Sequence, residues 1–173
     1  MLGLLNFLIS SSETTSKALT TLVSQLRSEL SDVAGVIGQQ FEASAPVTPL
    51  LEQRCSAVDQ TLTQLWNACA LDKTDIALIA VGGYGRGELF PSSDVDLLIL
   101  LGQPNNDSDA QVSAFVSSLW DLGLKIGHSV RSIDECLALA VDDITVMTTL
   151  LETRLLVGPS AVYDKLLSEL DER

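Results

Sequence analysis

Basic residues are scarce in this chain. Ten Lys and Arg stand against 23 Asp and Glu over 173 residues, a formal net charge of −13. So acidic a surface repels nucleic-acid backbones, so no nucleic-acid partner is expected. Nucleotide chemistry stays open, because bound cations reverse the local field. Cysteine is sparse too: Cys55, Cys69 and Cys136 are odd in number and none lies at CxxC spacing. Cys55 and Cys69 fall in an apolar helical pattern and read as small buried hydrophobes in a reducing, cytoplasmic protein. No hydrophobic run is long enough for a bilayer. "MLGLLNFLI" (1–9) is far too short to span one and lacks the basic flank of a signal peptide, so no membrane association is expected and the segment reads as frayed or packed. Internal repeats and low-complexity tracts are missing. What is present, 46% hydrophobic residues and a mean hydropathy of +0.30, suits an ordered domain with a real core.

Apolar residues recur at helical spacing from Ser16 to about Phe41, which predicts one long or broken amphipathic helix. The prolines of "ASAPVTP" (43–49) end it, and a second helix is expected over about Leu50–Ala70. The pattern then changes. "IALIAVGG" (76–83) and "DVDLLILLG" (94–102) read as strands buried on both faces, and "GLKIGHSVR" (123–131) as a third. Between them "QPNNDSD" is a loop, with Ser108 and Gln111 placed for a capping box. The following stripe, Val112, Phe115, Val116, Leu119 and Trp120, reads as core. "SIDECLALA", "DDITVMTTLLETRLL" and "PSAVYDKLLSELDER" read as helices. Helices first, then strands interleaved with helices, give an α/β (α+β) domain with a small mixed sheet behind a helical N-terminal segment, divided near residue 72 into 1–72 and 73–173.

The chemistry concentrates in "VGGYGRGELFPSSDVDLLILLG" (81–102). Side chains i and i+2 on a strand share a face, so Asp94 and Asp96 project side by side. Two carboxylates that close repel, unless a cation sits between them. Oxygen ligands alone suit Mg²⁺, which also accepts phosphate oxygens. Gly82 and Gly83 end the preceding strand and open a short helix, where backbone can approach a phosphate. The run is neither a Walker A loop nor GxGxxG. Alone, the glycines read equally as a tight turn and the aspartates as a solvated strand edge; the two together, ten residues apart on neighbouring strands, are specific. Arg86 is placed for a phosphate contact or an ion pair with Glu88. Ser92 and Ser93 are placed to cap a turn or reach a phosphate oxygen. Arg131 and Arg154 read as structural ion pairs. His128, the one histidine, shares a strand face with Leu124, Ile126 and Val130 and reads as a hydrogen-bonded core residue rather than a site residue.

The glycine pair and aspartate pair resemble the nucleotidyltransferase superfamily that includes DNA polymerase β. "GGYGRGELFPSSDVDLLIL", "LWDLGLKIGHSVRSIDEC" and "DDITVMTTLLETRLLVG" are similar to the bacterial PII uridylyltransferase/uridylyl-removing enzymes, over roughly residues 75–160. The resemblance implies a nucleotidyltransferase fold and transfer of UMP from UTP to a tyrosine of the PII nitrogen-regulatory protein, with release of pyrophosphate. By position, Asp94 and Asp96 would be the catalytic, Mg²⁺-holding pair, and Gly82 and Gly83, with Arg86 and Ser93, would bind nucleotide.

Two departures qualify this. Many superfamily members carry a third carboxylate on a later strand, whereas "GLKIGHSVR" has none. Those enzymes are also several times longer, with hydrolytic and glutamine-sensing domains whose motifs are absent here. Residues 1–173 therefore read as an N-terminal piece, for which uridylyl removal is not expected. A nucleotide-binding or regulatory module of the same fold, and a nucleotidyltransferase of other base and acceptor, remain as alternatives.

Overall fold

The structure, a computed structural model, describes residues 2–103 and 108–172, with side chains from Ser16 onward. Helix α1 (Leu2–Glu42) and helix α2 (Val47–Ala68) pack against each other as a hairpin. A 3-10 turn (Leu71–Lys73) leads to strand β1 (Ile76–Val81), then the short helix α3 (Gly82–Gly85) and strand β2 (Val95–Leu101). Helix α4 (Asp109–Asp121), strand β3 (Ile126–Ser132), helices α5 (Ile133–Asp142) and α6 (Ile144–Leu151), strand β4 (Thr153–Val157) and helix α7 (Ser160–Asp171) complete the order. The mixed α/β architecture expected from the sequence is the one observed.

The sheet runs β3-β2-β1-β4. Strand β1 is antiparallel to both neighbours, and β2 and β3 are parallel. All six residues of β1 are buried, as expected of a central strand covered on both faces. Alternation divides the strands cleanly. Ile76, Leu78, Ala80, Val95, Leu97 and Ile99 pack with Leu26, Leu62, Leu65, Trp66, Phe115 and Leu119 from α1, α2 and α4. Ala77, Ile79, Leu98 and Leu100 pack with Ile133, Leu137, Leu150 and Leu166 from α5, α6 and α7. All three cysteines are buried.

Several expectations change. The helix foreseen over 142–156 ends at Leu151, and Thr153–Val157 is instead a strand pairing with β1. A short apolar run carries no period long enough to separate helix from strand. The stripe on α4 is core at Phe115 and Leu119, but Trp120 is 65% exposed. It meets His128 edge-on at 5.9 Å. His128 is itself exposed, not a core histidine, because β3 is the sheet's edge strand. Ser108 occupies the N-cap of α4 without a side-chain cap hydrogen bond, so the expected box with Gln111 does not form. A capping box forms one helix later, between Ser132 and Glu135. The loop foreseen over 103–109 falls largely outside the described residues, as do the side chains of residues 1–9.

Candidate active site

Antiparallel pairing carries the end of β1 to the beginning of β2. With Ala80 opposite Leu97, the chain leaves β1 for Gly82 beside Asp96. Asp94 immediately precedes β2, and Asp96 is its only exposed residue. Partial burial raises the Asp96 pKa, and the Asp94 charge raises it further. The two carboxylates therefore lie close enough for their charges to interact, at the mouth of β2. Across the parallel pair Asp96 lies opposite Gly127. A Cβ at position 127 would collide with Asp96 Oδ1, so a glycine on β3 makes the room this carboxylate occupies.

Gly82 takes φ +59°, with open space where a side chain would stand. Its requirement is the left-handed backbone, not crowding. Gly83 has ordinary backbone, and its would-be Cβ lies 3.8 Å from Arg86 Nη2. Gly85 differs again: a Cβ there would strike the Glu152 carbonyl, so α3 packs backbone to backbone against the α6–β4 junction. The N-cap of α3 is Val81, which offers no side-chain acceptor to the first amides.

Helix α2 grips the segment that follows the glycines. Tyr84 donates its hydroxyl to Asp59 Oδ1 at 2.5 Å. Burial, and then this hydrogen bond, push the Tyr84 phenol well above its ordinary pKa. Arg154 of β4 reaches Asp59 with Nη1 at 2.7 Å and Nη2 at 3.2 Å, and its guanidinium stands over the Tyr84 ring. The Cys55 thiol donates to the Gly87 carbonyl at 3.0 Å, and Arg54 Nη2 to the Pro91 carbonyl at 3.3 Å. Arg154 is thus the structural ion pair expected.

Arg86 is held by two carboxylates, Glu88 at 2.9 Å and Glu152. Ser93 closes a turn through its amide to the Phe90 carbonyl at 3.0 Å and is half-buried. Arg131 was expected to be paired, yet it forms no hydrogen bond or ion pair with a described residue. It lines a cleft of about 190 Å³ with Val81, Leu98, Ser129, Asp143, Thr145 and Thr149, on the sheet face that Asp96 shares with Leu98. Ser129, Thr145 and Thr149 were not singled out in the sequence; only the fold brings α6 over that face. No set of three or more His, Cys, Asp or Glu side chains suited to a metal occurs among the described residues, so the aspartate pair stands without a third acidic ligand. No described helix is long and apolar enough to cross a membrane.

Paired carboxylates at a glycine turn, on neighbouring strands of a small mixed sheet, match a known family: the nucleotidyltransferase domain fits residues 62–148. The chain belongs to the nucleotidyltransferase family. Individual relatives are bifunctional uridylyltransferase/uridylyl-removing enzymes. That of Aromatoleum aromaticum is 43% identical over 152 residues, covering 87% of this chain and 18% of the relative. That of Cupriavidus metallidurans is 46% identical over 146 residues, 84% of this chain and 17% of the relative. That of Photobacterium profundum is 49% identical over 140 residues, 80% of this chain and 16% of the relative. The chain thus spans less than a fifth of the length of these relatives. Matches of 140 residues or more reach beyond residues 73–173 into the α1–α2 hairpin, so the similarity includes part of the helical segment that contacts the glycine turn.

Proposed function

We propose that this chain carries the transferase half of a uridylyltransferase, moving UMP from UTP to a tyrosine hydroxyl of a PII signal protein and releasing pyrophosphate. The observation that carries this reading is the meeting of Asp94 and Asp96 with the Gly82 turn at one end of the sheet. Similarity to the uridylyltransferases supports the choice of a uridylyl group.

In the reaction the tyrosine hydroxyl oxygen attacks the α-phosphorus as its proton passes to water, the bond from that phosphorus to the bridging oxygen breaks, and pyrophosphate leaves. Asp94 and Asp96 would hold Mg²⁺, a fit to two neighbouring oxygen donors whose like charges interact. The ion supplies positive charge against which the triphosphate is neutralised. Gly82 and Gly83 would let main-chain amides meet the phosphates. Arg86 would exchange Glu152 for a phosphate oxygen while Glu88 keeps hold of Nε, and Ser93 would offer its hydroxyl beside the metal pair. Arg131, Ser129 and Thr145 would line the remainder of the nucleotide cleft. Within this scheme residues 1–72 are a brace and residues 73–173 the nucleotidyltransferase unit.

One observation favours a second reading, a nucleotide-binding module without turnover: no third carboxylate joins the pair among the described residues. Incubation with Mg²⁺, purified PII and each α-labelled nucleoside triphosphate in turn separates the two. Label on PII from UTP alone is the expected result. Binding without label transfer supports the module, and transfer from ATP in preference moves the chain to another specificity.

A further inference from the structure

Carboxylates outnumber guanidinium and ammonium groups more than two to one in this chain. Three arginines, Arg27, Arg54 and Arg131, nonetheless form no ion pair with a described residue. Arg86 and Arg154 have theirs. Arg27 on α1 and Arg54 on α2 do not pair with any described residue's carboxylate, and both line one cavity of about 290 Å³. The cavity lies between the α1–α2 hairpin and the turn from α4 to β3, and Leu30, Val58, Leu122 and Leu124 supply its apolar wall. Arg54 spends Nη2 on the Pro91 carbonyl, while its Nε is buried with no partner. Gly123, at φ +76°, brings the turn close over Arg27: a Cβ there would stand 3.3 Å from Arg27 Nε. The fold thus places two like charges around one space, Arg27 exposed and Arg54 half-buried, and leaves one buried donor of Arg54 unsatisfied beside an apolar wall. Such an arrangement is costly unless an anion enters it.

We propose that this cavity is a binding site for a small organic carboxylate, its head between the guanidinium groups of Arg27 and Arg54 and its apolar body against Val58, Leu122 and Leu124. A planar carboxylate matches the fork of a guanidinium, and the apolar wall distinguishes such a ligand from a bare inorganic anion. The site is separate from the aspartate pair, which contributes nothing to its lining, so it stands or falls independently of the nucleotide reading.

The test is a titration of the 173-residue chain with benzoate, followed by NMR of the arginine Nε–H signals, with inorganic phosphate as a parallel arm. The expected result is a saturable shift of the Arg54 Nε–H with benzoate, and at least about tenfold weaker binding in Arg27→Gln. Arg27→Lys should restore part of that loss. Arg27 is exposed, so its variants keep the fold, and dispersed backbone amide signals verify this; Arg54→Gln is a secondary variant. A shift that does not saturate, or one equally strong in Arg27→Gln, overturns the site. Phosphate binding as tightly as benzoate overturns the organic ligand.

Discussion

Asp96 carries a charge whose cost a proton, a cation or a neutral side chain relieves. Its carboxyl pKa is raised, first by burial and then by Asp94. The folded chain therefore holds the proton more tightly than the unfolded chain does. Stability contributed at this position is greatest at low pH and falls as pH rises from the ordinary value of 3.8 through the raised one. Asp96→Asn is accordingly expected to melt at a higher temperature than the parent at pH 7, and the gap should narrow at pH 3. Thermal unfolding at the two pH values checks this; a lower melting temperature for the variant at pH 7 would contradict it. Gly82→Ala places a side chain at φ +59° in open space. It should cost about 1 kcal/mol in denaturant unfolding, without a clash. At this scale the sequence was informative where chemistry and period coincide, as in the aspartate pair. Gly127 was silent, because its meaning lies in the Asp96 carboxylate across a strand pair. His128 and Arg131 were misjudged for a related reason: the pattern of β3 does not reveal that it is an edge strand, nor that no carboxylate of a described residue comes within ion-pair distance of Arg131.

Among the elements, the glycine segment is held less by its own short helix than by what surrounds it. Asp59 of α2 binds both Tyr84 and Arg154, and thereby joins the helical hairpin, the glycine turn and β4. Tyr84→Phe removes the hydroxyl while Asp59 keeps Arg154. The expected loss is about 1–3 kcal/mol of stability, measured by urea unfolding, since a buried bond to a charged group disappears. UTP affinity should fall with it if the clamp orients the turn; unchanged affinity would show that the turn holds itself. Elements with a long apolar period, α1, α2 and the buried strands β1 and β2, were legible in advance. Strand β4 was not. "TRLLV" is too short to show a period, and its pairing with β1 depends on Gly158, where a Cβ would collide with the Ile76 carbonyl.

At the level of the whole molecule, helices cover both faces of a four-stranded sheet and leave the aspartate pair at its end. The architecture could be foreseen from the order of periodic segments; the cleft beneath α6 could not, since it needs α6 folded back over β2 and β3. A net charge of −13 gives this chain little means of steering any acceptor of like charge. In-line transfer also demands close positioning, and a displacement of about 1 Å can cost about 100-fold in rate. The 173-residue chain is therefore expected to transfer UMP to PII far more slowly than a protein of its relatives' full length, compared at equal concentration and saturating UTP. Equal rates would show the acceptor surface to be complete here. The central claim, that Asp94 and Asp96 hold a metal which in turn holds a nucleotide, is tested most directly by calorimetric titration of UTP with and without Mg²⁺, into the parent chain and into the Asp94→Asn/Asp96→Asn double variant. The account predicts Mg²⁺-dependent binding to the parent and loss of that dependence in a variant that still folds; equal Mg²⁺-dependent affinity in the two would contradict it.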